Sequence, residues 1–146
     1  MNTSSKPRIL VVEDNPGDIQ LLRLALKNAH LDCHLTVLED GAEAWAFVRQ
    51  QGKYADTEAP DLLVLDLNVP KYDGVEILEA MRANPAFDQV RVAVLSSSAS
   101  QREREKLEQY RISRYITKPI DLEEFMQIGM SLKQILSGEE TRGRGA

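Results

Sequence analysis

Four short apolar runs in this sequence each lead into a polar or charged group. ILVV runs into Glu13 and Asp14, LLVL into Asp66 with Asn68 beyond it, VAVL into Ser96, and YIT into Lys118 and Pro119. Carboxylates that gather repel one another, and a neighbouring positive charge must offset this. Mg2+ is suited to that role, since it takes one or two carboxylates, keeps several waters and leaves room for a phosphate oxygen. Glu13, Asp14 and Asp66 are the candidate ligands. Asp66 is then the candidate nucleophile, a carboxylate of the kind that forms an aspartyl phosphate. Lys118 would offer an ammonium and Ser96 a hydroxyl to the other sides of the phosphoryl group. Each group alone has a plainer reading. An Asp after a strand caps or turns the chain, Glu13-Asp14 favours the next helix N-terminus, Ser96 to Ser98 form a polar loop, and Lys118-Pro119 forms a turn. Four run ends that together supply what phosphoryl chemistry needs make coincidence the weaker account.

The elements that must position these groups follow from pattern. Strands are expected at Arg8 to Val12, Leu35 to Leu38, Asp61 to Asp66, Val90 to Leu95 and Arg114 to Thr117. Helices are expected between them. The first starts at Asn15-Pro16, with Pro suited to the first turn, and carries Ile19, Leu22, Leu26 and Ala29 at helical spacing. The second is Ala42 to Gln51, after an Asp40-Gly41 turn or cap, and residues 51–60 read as a loop. The third opens at Asp73-Gly74 and ends at Asn84-Pro85; the fourth is the polar stretch Gln101 to Tyr110. The last is capped by Asp121 and carries Leu122, Phe125, Gly129, Leu132 and Leu136 on one face. Strands apolar on both faces and alternating with helices predict an α/β fold, a doubly wound five-stranded parallel sheet. In such a sheet function gathers at the carboxyl ends of the strands, near the switch in strand order. With order 2-1-3-4-5 the first and third strands are neighbours there, and Glu13, Asp14 and Asp66 cluster.

Composition narrows the class. The 146 residues suit one domain, expected over 8–137, with a flexible N-terminus at 1–7 and a disordered tail at 138–146. A net charge of −5 argues against direct DNA binding. One cysteine, Cys33, excludes a disulfide framework and suits a cytoplasmic protein; it reads as a small buried residue. No apolar run is long enough to predict a membrane span. Trp45 reads as core or partial core, and His30 and His34 lack the spacing and partners of a metal site.

The motifs VVEDN, VLDLNVPKYDG, VLSSS and YITKP, in this order and spacing, resemble the receiver domain of bacterial two-component response regulators over about residues 7–137. The resemblance implies a flavodoxin-like fold and phosphorylation of Asp66. It implies Mg2+ held by Asp14 directly, by Glu13 often through water, by Asp66, and by the backbone carbonyl at Asn68. It implies that Ser96 moves to meet the phosphoryl group, that Lys118 pairs with it, that the Lys118–Pro119 bond is cis, and that Tyr115 is an aromatic switch that turns inward. Glu at 13 and Ser at 96 are mild departures from the commoner Asp and Thr. The long 51–60 loop with NPGD, NVPKYDG and SSSAS is most similar to stand-alone receivers found beside phytochrome-type sensor kinases.

The expected function is therefore a phosphoacceptor in two-component phosphorelay signalling, not an enzyme beyond its own phosphorylation and dephosphorylation. It takes phosphate from a sensor histidine kinase and switches the surface of the fourth helix, fifth strand and fifth helix. That surface is expected to serve an unknown downstream protein, a relay step or homodimerisation. Three alternatives fit the residues less well. A Mg2+-dependent phosphatase with an aspartyl intermediate would want an acid two residues after Asp66, where Asn68 stands. A flavodoxin-like cofactor binder would want a Gly-rich loop where EDNPGD stands, and anionic groups there repel a nucleotide phosphate. A non-phosphorylated scaffold receiver sits poorly with a complete acidic set and lysine.

Overall fold

The computed structural model describes residues 6–98 and 100–138. Five strands, β1 (Arg8–Val12), β2 (His34–Leu38), β3 (Leu62–Asp66), β4 (Arg91–Ser96) and β5 (Arg114–Thr117), alternate with five helices. These are α1 (Pro16–Asn28), α2 (Gly41–Val48), α3 (Gly74–Arg82), α4 (Gln101–Leu107) and α5 (Leu122–Ser137). The strands are all parallel in the order β2-β1-β3-β4-β5, as expected from the sequence. The expected 1–5 and 139–146 portions of the flexible ends lie outside the described residues.

Successive strand residues point to opposite faces, and here both faces are buried. Ile9, Val11, Leu62, Val64, Ala93 and Leu95 pack with Leu22 and Leu26 of α1 and with Phe125, Ile128, Leu132 and Ile135 of α5. Leu10, Val12, Leu63, Leu65, Val92 and Val94 pack with α2, α3 and Leu107 of α4. The sheet thus divides the molecule into an α1/α5 side and an α2/α3/α4 side. On the first side the two helices approach closely at Gly129, where an added Cβ would come within 2.1 Å of the Ala25 carbonyl oxygen.

Helix starts follow their caps. Asn15, Asp40, Asp73 and Asp121 each accept a backbone N–H from the first turn of α1, α2, α3 and α5. Several boundaries differ from expectation. The second helix stops at Val48 because the chain turns left-handed at Gln50, with φ 53°. The 51–60 loop contains a short 3-10 turn at Gly52–Tyr54. The fourth strand is shifted by one, so that Ser96 ends the strand instead of opening a loop. On α5 the expected Phe125, Gly129 and Leu132 are buried, joined by Ile128 and Ile135, while Leu122, in the first turn, is 58% exposed. Cys33 is half-buried. Trp45 is also half-buried, stacked on Tyr72 with ring centroids 4.9 Å apart.

Candidate functional site

The carboxyl edge of the sheet is stitched by backbone hydrogen bonds that continue the strand ladder. Glu13 N–H donates to Leu38 C=O, Leu67 N–H to Leu95 C=O, and Lys118 N–H to Ser96 C=O. These bonds fix where the polar groups at the strand ends stand. The two-residue period then decides which side of the sheet each group faces. Glu13 continues the Ile9–Val11 row, Asp66 the Leu62–Val64 row, and Lys118 follows Ile116, which packs on the same α1/α5 side. All three meet there.

Glu13, Asp14 and Asp66 bring one carboxylate oxygen each to within 4.8 Å of one another. Glu13 is fully buried and Asp66 is 1% exposed, while Asp14 is exposed. The Lys118 ammonium reaches into this group, 2.7 Å from Asp66 Oδ2, 3.0 Å from Glu13 Oε1 and 2.8 Å from Asp18 Oδ2. Asp66 Oδ1 accepts the Asn68 N–H at 2.9 Å. One ammonium therefore contacts Glu13, Asp18 and Asp66, with Asp14 clustered beside two of them, and the edge keeps an excess of negative charge.

That excess shows in the acidities. Burial, then Asp66, push the Glu13 carboxyl up to about 7, against the opposing pull of Lys118. Burial alone would lower the pKa of Lys118, but its contacts with Asp18, Asp66 and Glu13 outweigh burial and raise it. Glu13 Oε1 lies near the ammonium yet has no hydrogen-bond partner, although it is buried. A buried carboxylate oxygen that has an ion pair but no hydrogen bond is incompletely compensated. It fits a site for a divalent cation, and hard oxygen donors in this arrangement are what such a cation takes.

The other two expected residues lie on the opposite side of the sheet. Ser96 continues the Val92–Val94 row and faces α4: its Oγ–H donates to Glu103 Oε1 at 2.8 Å, and its Oγ accepts the Ser98 N–H at 3.1 Å. Here Ser96 is thus engaged with α4, not with Asp66. Tyr115 packs against the α2/α3/α4 core, and its hydroxyl donates to Arg104 C=O at 3.1 Å with the Arg104 guanidinium over its ring. No peptide bond among the described residues is cis, so Lys118–Pro119 is trans here, unlike the implied cis bond. Trans is the lower-energy isomer of X–Pro by about 0.5–1 kcal/mol.

Two participants, Asp18 and Glu103, are absent from the sequence-derived set. Asp18 stands in the first turn of α1. An acid in the first turn of a helix opening at the same edge is a signal that could have found it. Glu103 could have been found from the parity of Ser96.

Residues 9–129 match the response regulator receiver domain family. Response regulator Rcp1 of Synechocystis sp. is 36% identical over 126 residues, covering 86% of each chain. The crystal structure of the phosphorylated cyanobacterial phytochrome response regulator RcpA superposes with a TM-score of 0.82 at 36% identity, covering 90% of this chain and 94% of that one. The Mn2+-bound form of Rcp1 gives 0.79 at 34% identity over 88% and 92%. With its 2-1-3-4-5 sheet and its carboxylate and lysine edge, this chain belongs to the response regulator receiver domain family.

Proposed function

We propose that this receiver accepts a phosphoryl group on Asp66 from a sensor histidine kinase. The observation that carries the reading is the Lys118 ammonium 2.7 Å from Asp66 Oδ2, beside three carboxylates clustered within 4.8 Å. The donor phosphohistidine must come from another protein. Its P–N bond breaks as an Asp66 oxygen bonds phosphorus, and the imidazole leaves. Asn68 N–H and Lys118 each hold one Asp66 oxygen in place, and a second lone pair on either remains open to phosphorus. Lys118 shifts from Asp66 Oδ2 toward a phosphoryl oxygen, while Asp18 keeps the ammonium at the site. Glu13, Asp14 and Asp66, with the Asn68 carbonyl, would hold Mg2+, which supplies charge that offsets the carboxylates and the phosphoryl oxygens. Ser96 would complete the set after leaving Glu103. The same groups would support self-catalysed phosphorylation and dephosphorylation.

The likeness to RcpA and Rcp1 supports a phytochrome-type kinase as donor, and the Mn2+-bound Rcp1 structure supports the metal reading. The output is the surface of α4, β5 and α5, offered to a downstream protein or to a second copy. No helix among the described residues is long and apolar enough to cross a membrane, in keeping with a cytoplasmic switch.

The test is intact-protein mass after incubation with acetyl phosphate and Mg2+. Wild type should gain one phosphoryl group, and Asp66→Ala or removal of Mg2+ should abolish the adduct. An adduct of equal yield in Asp66→Ala would move the acceptor elsewhere.

A further inference from the structure

A hydroxyl has one proton to donate, and in this structure Ser96 gives it to Glu103. Glu103 stands third in α4, after the cap Ser100, whose Oγ accepts the Glu103 N–H at 3.3 Å. This Ser-x-x-Glu pattern normally forms a reciprocal capping box, in which the Glu carboxylate returns to the backbone N–H of the cap residue. Here that N–H is taken: Ser100 N–H donates to Ser98 Oγ at 3.1 Å. The Glu103 carboxylate is thereby left free to turn away from its own helix, and it binds Ser96.

The surroundings of α4 allow movement. Leu107 is its only buried residue. One flank borders a cavity of about 310 Å3, lined by Leu67, Val75, Ser100, Glu103 and Lys106 among others. The opposite flank meets Ser96, Tyr115 and Thr117 around a small void of about 10 Å3. Polar contacts hold the helix toward β4 and β5: Ser96 to Glu103, and Tyr115 to the carbonyl and guanidinium of Arg104.

We propose that Glu103 is a positioning residue for Ser96: its carboxylate holds the Ser96 proton on the α4 side of the sheet, and a phosphoryl group on Asp66 must win that proton from it. The inference rests on the assignment of Asp66 as acceptor. Because one proton serves two acceptors on opposite sides of the sheet, occupation of Asp66 and the Ser96–Glu103 contact exclude each other. The coupling is reciprocal, as any linkage of two equilibria must be.

The experiment titrates beryllofluoride with Mg2+, a phosphoryl mimic, into the full chain by calorimetry. Glu103→Ala should bind it about tenfold more tightly than wild type, the size expected for one hydrogen bond to a charged group. Ser96→Ala should bind it more weakly, and in that background Glu103→Ala should change nothing. Glu103→Gln keeps a weaker, neutral acceptor and should tighten binding by less than Ala. Should Glu103→Ala fold poorly, Glu103→Gln carries the same cycle. A merely structural role for Glu103 would move the melting temperature but would not depend on the Ser96 hydroxyl. Equal effects with and without Ser96, or no effect of either Glu103 variant, would overturn the inference while the Asp66 reading stands on the phosphorylation assay. A wild-type chain that takes neither mimic nor phosphoryl group would overturn both.

Discussion

Two helices on the same side of the sheet begin with the same chemistry and end up held differently. At α3, Asp73 accepts the Val75 N–H at 2.9 Å, and the Glu76 carboxylate returns to accept the Asp73 N–H at 3.2 Å. The box is closed on itself, and Ile77, Leu78 and Met81 bury the helix behind it. At α4, Ser100 caps, but Glu103 reaches out to Ser96 and only Leu107 is buried. The difference teaches that the third-position glutamate of such a start can serve either of two elements. Where the cap N–H is open the carboxylate stabilises its own helix; where a neighbouring serine takes that N–H, the carboxylate serves another element. A helix held by one apolar residue and by exchangeable polar bonds is one whose position a distant charge can bias.

The largest test of this contrast removes the apolar anchors. Leu107→Ala and Leu78→Ala each empty a fully buried site and should each lose about 2–5 kcal/mol. Their local signatures should differ. In Leu78→Ala, Ile77 and Met81 still hold α3, so amide exchange should speed up across the molecule without singling out that helix. In Leu107→Ala nothing apolar remains beneath α4, so amides of 101–110 should exchange first and far ahead of the sheet. Uniform loss of protection in both variants would break the comparison, since α4 would then be as firmly built in as α3.

The fold and the acidic edge were legible for one shared reason. Apolar runs of strand length, broken by Asn15-Pro16, Asp40-Gly41 and Asp73-Gly74, state the alternation of strands and helices directly. Polar groups placed just past those runs state the edge at which they gather. Less was legible where a side chain's partner lies far along the chain. The bond between Ser96 and Glu103 depends on which face the strand end presents, and a one-residue misplacement of β4 hides that face. Row parity recovers it: Glu13, Asp66 and Lys118 fall on the α1/α5 side, Ser96 and Tyr115 on the α4 side. Asp18 escaped because an Asp in the first turn of a helix has a sufficient local explanation in the helix dipole. Its 2.8 Å contact joins residues one hundred positions apart.

A smaller effect separates the caps themselves. Asp73→Ala opens a closed box and should cost about 1 kcal/mol, at the middle of the range for such caps. Ser100→Ala removes a 3.3 Å bond from a helix whose box is already open, and should cost about 0.5 kcal/mol, at the low end of that range. Denaturant midpoints at constant slope would resolve the two. Equal costs would mean that Glu76 adds nothing to its own helix start, and that the open box at α4 is no weakness.

The smallest effect concerns how these starts respond to acid. Asp40 caps α2 by accepting the Glu43 N–H at 2.9 Å, with Lys71 3.5 Å away. The bond to that N–H, foremost, and the Lys71 charge hold its carboxyl below the ordinary value. The sign follows from linkage. A carboxyl more acidic folded than unfolded binds fewer protons in the native state, so its stabilisation is complete above the unfolded pKa, about 3.9, and is lost as pH falls through the lower folded value. The melting-temperature deficit of Asp40→Ala should therefore be full at pH 7 and shrink near pH 3. The Ser100 hydroxyl does not titrate, so the Ser100→Ala deficit should be the same at both pH values, apart from changes common to the whole chain. If the Asp40→Ala deficit also stays constant, the charge on that cap contributes nothing, and hydrogen-bond geometry alone distinguishes one helix start from another.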